Sequence, residues 1–461
     1  MIPPAPSRRY PRRSARNSGS GGAGRARRAR SRTVVRCMRR VRARRAFPLP
    51  SIRITSFHRN RRSTMKTAVC TAAVACALAA PLTAHAQSSV TLYGIIDTGI
   101  AWTNTVASSI KAQGASRWSM ATGWGSGDRL GFLGREDLGG GLSAVFQLEA
   151  GFSGLNGTSS QGGRLFGRQA YVGLSSKQYG KLTLGRQYDY TFDYVAPLMA
   201  WLQFGSIYGA HIGDVDDSFQ TFRLNNSVKY EVSPLAGLKL GALYAFSNQA
   251  GGGAGQGFAN NRAYGFGLDY LRGPLHVVAS YLQLNNPSTG IASSGNNPNG
   301  AIGDEYSGST SLFYNAGFVE RQRISALGAG YSFGAAAVNL VVTDTRLAYR
   351  GGHSLRVDNY EINGRYNFTP VLIAGVGYIF TDGHGYTGSG ATSFATGDRP
   401  RWHQVDAGIT YLLSKRTDLH MSMVYQRRAG DAGTVAINFF GPAGAGRSSQ
   451  IAVLAGLRHR F

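Results

Sequence analysis

Ile451-Ala452-Val453-Leu454-Ala455-Gly456-Leu457-Arg458-His459-Arg460-Phe461 ends the chain, and its pattern governs how the rest is read. Ile451, Val453, Ala455, Leu457 and Phe461 fall on one face of an extended segment, and Arg458 and Arg460 fall on the other. Side chains that alternate in this way mark a β-strand with two different environments on its two faces. The same period runs through Val90–Asp97, Leu142–Glu149, Leu238–Tyr244 and His403–Tyr411. With 63 Gly, 45 Tyr plus Phe and only 16% charged residues, the composition is that of an all-β protein.

The connections between strands distinguish a soluble sandwich from a closed sheet in lipid. Short turns are expected near 137–141, 176–180, 233–237, 272–274, 334–336, 369–370 and 414–417. Longer polar or glycine-rich stretches fall near 104–128, 153–165, 189–225, 248–261, 285–321, 346–353, 381–402 and 427–448. Strict alternation of short and long connections is the habit of a transmembrane antiparallel β-barrel, and these connections predict 16 strands, an even count. Aromatics such as Tyr230, Tyr270, Tyr281, Phe333, Tyr366, Phe368, Tyr378 and Tyr411 crowd the strand ends, as membrane interfaces require. No apolar run from Gln87 onward reaches the length of a spanning helix.

The formal charge of +27 suggests a nucleic-acid partner until its location is considered. Residues 1–64 hold 20 of the 50 Lys and Arg and no acid, and Lys66 is one more. From Gln87 onward 29 basic and 23 acidic residues remain, a net of +6, so no nucleic-acid binding is expected of that part. The Arg-rich head, 1–64, cannot bury enough surface to fold, and we expect it to be disordered and its start to be miscalled. Met65-Lys66-Thr67, the apolar run Ala68–Leu82 and the small-x-small end Ala84-His85-Ala86 predict a cleavable secretory signal over 65–86 and a barrel over 87–461. Cys37, Cys70 and Cys76 all precede residue 87, which excludes disulfides and thiolate metal sites from the barrel.

Several stretches resemble the general diffusion porins of Gram-negative bacteria, most closely those of β-proteobacteria. Gln87–Gly94 resembles their mature N-terminus, and Arg135-Glu136-Asp137-Leu138-Gly139-Gly140-Gly141-Leu142 their first turn. Gly167–Leu174, Leu184-Gly185-Arg186-Gln187-Tyr188-Asp189 and Gly456–Phe461 extend the match over essentially 87–461. The resemblance implies a passive outer-membrane channel for ions and small hydrophilic solutes, built as a homotrimer amid outer-membrane lipid and lipopolysaccharide. An aromatic C-terminus such as Phe461 resembles the signal read by the barrel assembly machinery. It further implies that the third long loop, here about 189–225, folds inward and sets acidic residues against a ladder of wall arginines.

Carried over residue by residue, Arg129 and Arg168 resemble rungs of that ladder, Arg223 is a third and Arg186 a neighbour. Inward parity suits Arg129, because Leu130 and Phe132 then face lipid, and suits Arg168 less well, because Ala170 and Val172 would share its face. The family's acidic Pro-Glu-Phe-Gly segment is here Pro197–Gly205, which carries no carboxylate, and Ile95 stands where many relatives place a wall lysine. Acidic candidates on the loop are Asp189, Asp193, Asp214, Asp216 and Asp217, each of which could instead pin the loop to the wall. A basic wall with few opposing acids predicts a modest preference for anions.

Enzymatic chemistry finds no support: no His-x-x-x-His or phosphate loop occurs, and the nine His are scattered. Asp214-Val215-Asp216-Asp217 has calcium-compatible ligands but no surrounding loop motif, so neither a metal nor a cofactor is expected. The alternative is a substrate-specific channel for a sugar or an organic anion, with Trp201, Phe204, Tyr208 and Phe219 as a short aromatic slide.

Overall fold

A computed structural model of the chain describes residues 88–251, 257–290, 297–307, 312–313, 318–386 and 396–461. The expected head and signal segment, and Gln87 itself, lie outside the described residues. Seventeen antiparallel segments form one closed sheet: β1 Ser89–Val106, β2 Ala115–Thr122, β3 Arg129–Gly139, β4 Leu142–Gly151, β5 Gln169–Ser176, β6 Gly180–Gln187, β7 Leu224–Leu235, β8 Leu238–Ala245 and β9 Arg262–Arg272, followed by β10 Leu275–Asn285, β11 Val319–Phe333, β12 Ala336–Tyr349, β13 Ser354–Asn367, β14 Leu372–Tyr386, β15 Pro400–Leu412, β16 Thr417–Gly430 and β17 Ser449–Arg460. β2 and β3 occupy a single position, because β1 pairs with β2 through Thr98–Val106 and with β3 through Ser89–Ile95. The barrel therefore has 16 strands, as expected. Among the described residues no helix is long and apolar enough to cross a membrane; the crossing is made by strands.

All seven expected short turns are present. The stretch 104–128 corrects the expectation of one long loop: only 107–114 connects β1 to β2, and 123–128 is an inward bulge within one barrel strand. Asp97 organises the bulge by accepting the amides of Gly125 at 2.8 Å and Ser126 at 2.7 Å, while Asp128 accepts the Asp97 amide at 2.7 Å. The bulge carries Trp124 into the lumen, where it is fully buried and stacks on His420 with ring centroids 4.0 Å apart.

Side-chain alternation gives the wall two faces. Leu327, Leu340, Val342, Ile362, Val376 and Met421 point outward and are exposed to what surrounds the barrel, whereas their neighbours Ala326, Val341, Glu361 and His420 are buried inside. β1 closes on β17 in register from Ile95 opposite Arg460 to Thr103 opposite Ala452. Phe461 extends this seam by exchanging two 3.0 Å backbone hydrogen bonds with Gly94. Gly94 must lack a side chain, since a Cβ there would stand 2.2 Å from the Phe461 ring.

The third loop, 188–223, folds into the barrel through short helical turns at Thr191–Val195, Ala196–Leu198, Ala200–Gln203, Ile207–Gly209 and Ile212–Asp214. Val195, Met199, Ile212, Val215 and Phe222 join the main apolar core, which includes the wall residues Val278, Leu282, Ile324, Val341 and Trp402. Glycines on the inner face make room for it. A Cβ on Gly375 would lie 2.2 Å from the Phe204 ring, and one on Gly408 1.8 Å from the Phe204 carbonyl.

Candidate functional site

Four arginines reach the lumen from the loop-side ends of β3, β5, β6 and β7, with β4 between the first two. Arg129 opens β3 after the bulge, Arg168 precedes β5, Arg186 lies near the end of β6 and Arg223 precedes β7. They are arranged around two buried carboxylates that were not among the expected site residues. Glu149 of β4 accepts from Arg168 Nε at 2.8 Å, Tyr188 Oη at 2.9 Å and Tyr93 Oη at 2.7 Å, with Arg129 at 4.0 Å. Glu305, from the fifth loop, accepts from Arg186 Nη2 at 2.7 and 2.5 Å, and Arg223 stands 3.8 Å away. The Tyr188 ring joins the two groups, with the Arg168 and Arg223 guanidinium carbons 5.8 and 5.9 Å from its centroid. Burial pushes the Tyr188 phenol up, so it stays neutral and donates.

Four guanidinium groups stand against three carboxyl groups, Glu149, Glu305 and the cavity-lining Asp128, an excess of one positive charge on this stretch of wall. Arg129 points inward as its parity requires, and Leu130 and Phe132 are both exposed on the outer face. The parity objection to Arg168 disappears because the residue lies outside β5, so the exposed, outward Val172 does not constrain it. A cavity of about 430 Å³ is lined by Arg129, Arg168 and Arg223 together with Phe192, Trp201, Leu202 and Phe219 of the loop.

The expected loop acids do not face these arginines. Asp193 pairs with Lys229 of β7. Asp189 accepts the Thr191 amide at 2.6 Å, Asp214 the Phe219 and Thr221 amides at 3.0 and 2.8 Å, and Asp217 the Phe222 amide at 3.1 Å. Asp216 meets His211 at 2.5 Å and the Thr343 hydroxyl at 2.7 Å. All five make their contacts within the loop or with the wall strands. Burial raises the Asp214 carboxyl to about 7 and lifts Asp217 well above the usual carboxylate range, with Asp189 and Asp214 nearby adding repulsion. Burial disfavours the His211 imidazolium, yet Asp216 and Glu361, at 2.5 and 3.0 Å, outweigh it and raise the ring to about 10.

A closed 16-position barrel, an inward third loop and an arginine-lined cavity beside that loop are now joined by a family match: residues 71–431 fit the model of the Gram-negative porins. The chain is a member of that family. It is 34% identical over 402 residues to an outer membrane porin protein of Bordetella pertussis, covering 82% of this chain and 96% of that one. It is 30% identical over 398 residues to outer membrane porin protein 32 of Delftia acidovorans, covering 83% and 97%. Among solved structures, the anion-selective porin from Comamonas acidovorans superposes with a TM-score of 0.62 at 26% identity, covering 81% of this chain and all of that one. This porin is therefore an outer-membrane β-barrel channel and not an enzyme.

Of the unexpected partners, Glu149 carried a readable signal: it is an acid at an inward position of an alternating strand, beside arginines on the neighbouring strands. Glu305 lies in the 286–318 connection, where no period distinguishes one residue from another. The aromatic slide is rearranged: Trp201 and Phe219 line the cavity, while Phe204 is buried against Gly375 and Gly408.

Proposed function

We propose that Arg129, Arg168, Arg223 and Arg186 form the constriction of this porin and give it a preference for small anions. The observation that carries the reading is the excess of guanidinium groups over carboxylates at the cavity, with every loop acid committed elsewhere. Arginine stays charged at any working pH, so the preference does not depend on titration of the wall cations. The anion selectivity named for the Comamonas acidovorans porin agrees with it.

Assembly and export complete the proposal. The chain works as a homotrimer, the form named for one Vibrio cholerae OmpT structure that shares this fold at 13% identity. A wide apolar trough on the outer face of the seam, lined by Ile100, Met120, Ile409, Met421 and Leu457, suits a neighbouring protomer. Residues 65–86 act as the export signal, and Phe461 is read by the assembly machinery. Outward arginines at the loop end of the barrel, Arg321, Arg323, Arg346 and Arg356, suit the anionic headgroups of lipopolysaccharide. Reconstitution into planar bilayers tests the function: a zero-current potential on the anion side of a KCl gradient is expected, and a cation-side value refutes it.

A further inference from the structure

Besides the arginines, Asp128 and several uncharged polar residues, the cavity has an apolar lining. Phe192, Trp201, Leu202, Phe219 and Phe439 line it, the first four from the third loop and Phe439 from the 431–448 connection. Their rings form two adjoining groups: Phe192 lies 4.7 Å from Tyr188 and 6.4 Å from Trp201, and Phe439 lies 5.3 Å from Phe219. Leu202 and Phe439 remain 40% and 44% exposed although they belong to the inside of the molecule. Phe439 is also held at φ +65°, a conformation that a bulky residue adopts at a penalty of about 1–2 kcal/mol. A passage serving only hydrated inorganic ions gains nothing from such a surface, because water gives up hydrogen bonds to wet it.

The arginine side has capacity to spare. Arg223 lines the cavity, and its ionic partner Glu305 stands 3.8 Å away, beyond hydrogen-bond distance. An anion that places a carboxylate on Arg129, Arg168 and Arg223 and a flat ring against Phe192, Trp201 and Phe219 satisfies both walls at once. Neither a sugar nor chloride does so. The cavity, about 430 Å³, falls within the roughly 300–1,000 Å³ range of small-ligand sites.

We infer that this porin is a preferential channel for small aromatic carboxylates, of the benzoate class, recognised between the arginine wall and the aromatic face of the third loop. The inference rests on the anion-selective constriction proposed above and names its organic substrate.

The test measures zero-current potentials and current interruptions with potassium benzoate, cyclohexanecarboxylate and acetate in turn. Benzoate is expected to pass and to interrupt the KCl current at about threefold to tenfold lower concentration than cyclohexanecarboxylate, the range that ring stacking supplies beyond mere area. Phe219→Ser and, as a partly exposed site with little risk to folding, Phe439→Ser are each expected to narrow that difference, whereas Phe333→Ala at the outer girdle retains it. Equal behaviour of benzoate and cyclohexanecarboxylate in the unaltered protein overturns the aromatic assignment, as does a difference that both lumen variants retain. A cation-side potential in KCl alone overturns the constriction reading instead, so the two failures are distinguishable.

Discussion

Arg223→Gln is the cleanest test of the electrostatics, because Arg186 continues to hold Glu305 through hydrogen bonds of 2.5 and 2.7 Å after Arg223 is lost. Removing Arg168 instead strips Glu149 of its 2.8 Å partner and confounds charge with structure. A unit charge roughly 6 Å from the path of an ion is worth about 0.7 kcal/mol in water, or about threefold in ion occupancy. The charge favours chloride and opposes potassium by that factor, so the permeability ratio shifts by about tenfold when salt is dilute. With a Debye length of about 8 Å near 0.15 M salt, screening cuts the energy roughly by half and the shift to about threefold. The assay is the zero-current potential across a fixed KCl ratio at several absolute concentrations. The potential is expected to move toward the cation side, and to move further as salt is diluted. An unmoved potential, or a shift that does not depend on salt, refutes the charge-based account of selectivity.

Glu149→Gln removes a lumen carboxylate and is expected to move the potential the opposite way, toward anions, by a similar factor; the same bilayer recordings check it. Gly408→Leu introduces a side chain where Phe204 now sits, and is expected to displace the third loop, raising single-channel conductance and lowering the melting temperature of the detergent-solubilised barrel. The His211 ring is held protonated up to about 10 against an ordinary 6.5, so its contribution is complete below about pH 6.5 and is lost as pH rises toward 10; native barrels are expected to melt earlier across that window, and His211→Asn to flatten the slope. Phe461→Ala keeps the backbone pairing with Gly94 but removes the ring that covers it, and slower folding into lipid vesicles, followed by the shift of the folded band on unheated gels, is the expected result.

Why some of this was legible in the sequence follows from which interactions have a period. The wall repeats: Val341 inside and Val342 outside obey the same two-residue rule that Leu454 and Ala455 do, so the strands and all seven turns could be placed from alternation and turn residues alone. The segment Ala115–Thr122 was missed although Trp118 and Met120 alternate outward, because Gly123-Trp124-Gly125-Ser126-Gly127 directly follows and reads as a loop. The site divides in the same manner. Arg129 is tied to a strand and its parity predicted its direction. The directions of Asp189 through Asp217 are set by the fold of a loop without a period, where a carboxylate can equally well face an ion or cap a neighbouring amide. Here Asp189, Asp214 and Asp217 cap amides while Asp193 and Asp216 pair with Lys229 and His211, and composition alone could not have distinguished them.

That choice has a consequence for the barrel as a whole. A 16-strand barrel is wide enough to enclose water, and the third loop that enters its lumen must be held against polar walls. Holding it with ion pairs alone would take charges from water, which is expensive unless each is fully partnered. This chain instead lets aromatic and aliphatic loop residues into an apolar half of the lumen and removes Cβ atoms beneath Phe204 and Tyr190, at Gly375, Gly408, Gly241 and Gly267. The ion pairs at the loop, His211 with Asp216 and Glu361, and Asp193 with Lys229, are each buried or half-buried. The loop's acids are thereby spent on anchorage, and the opposing arginines are left without carboxylates across the gap. On the proposal above, the positive character of the constriction is a by-product of how the loop is fastened. Substitutions at the anchors, Asp193→Asn for example, are then expected to alter loop stability before they alter selectivity, the reverse of the order expected for Arg223.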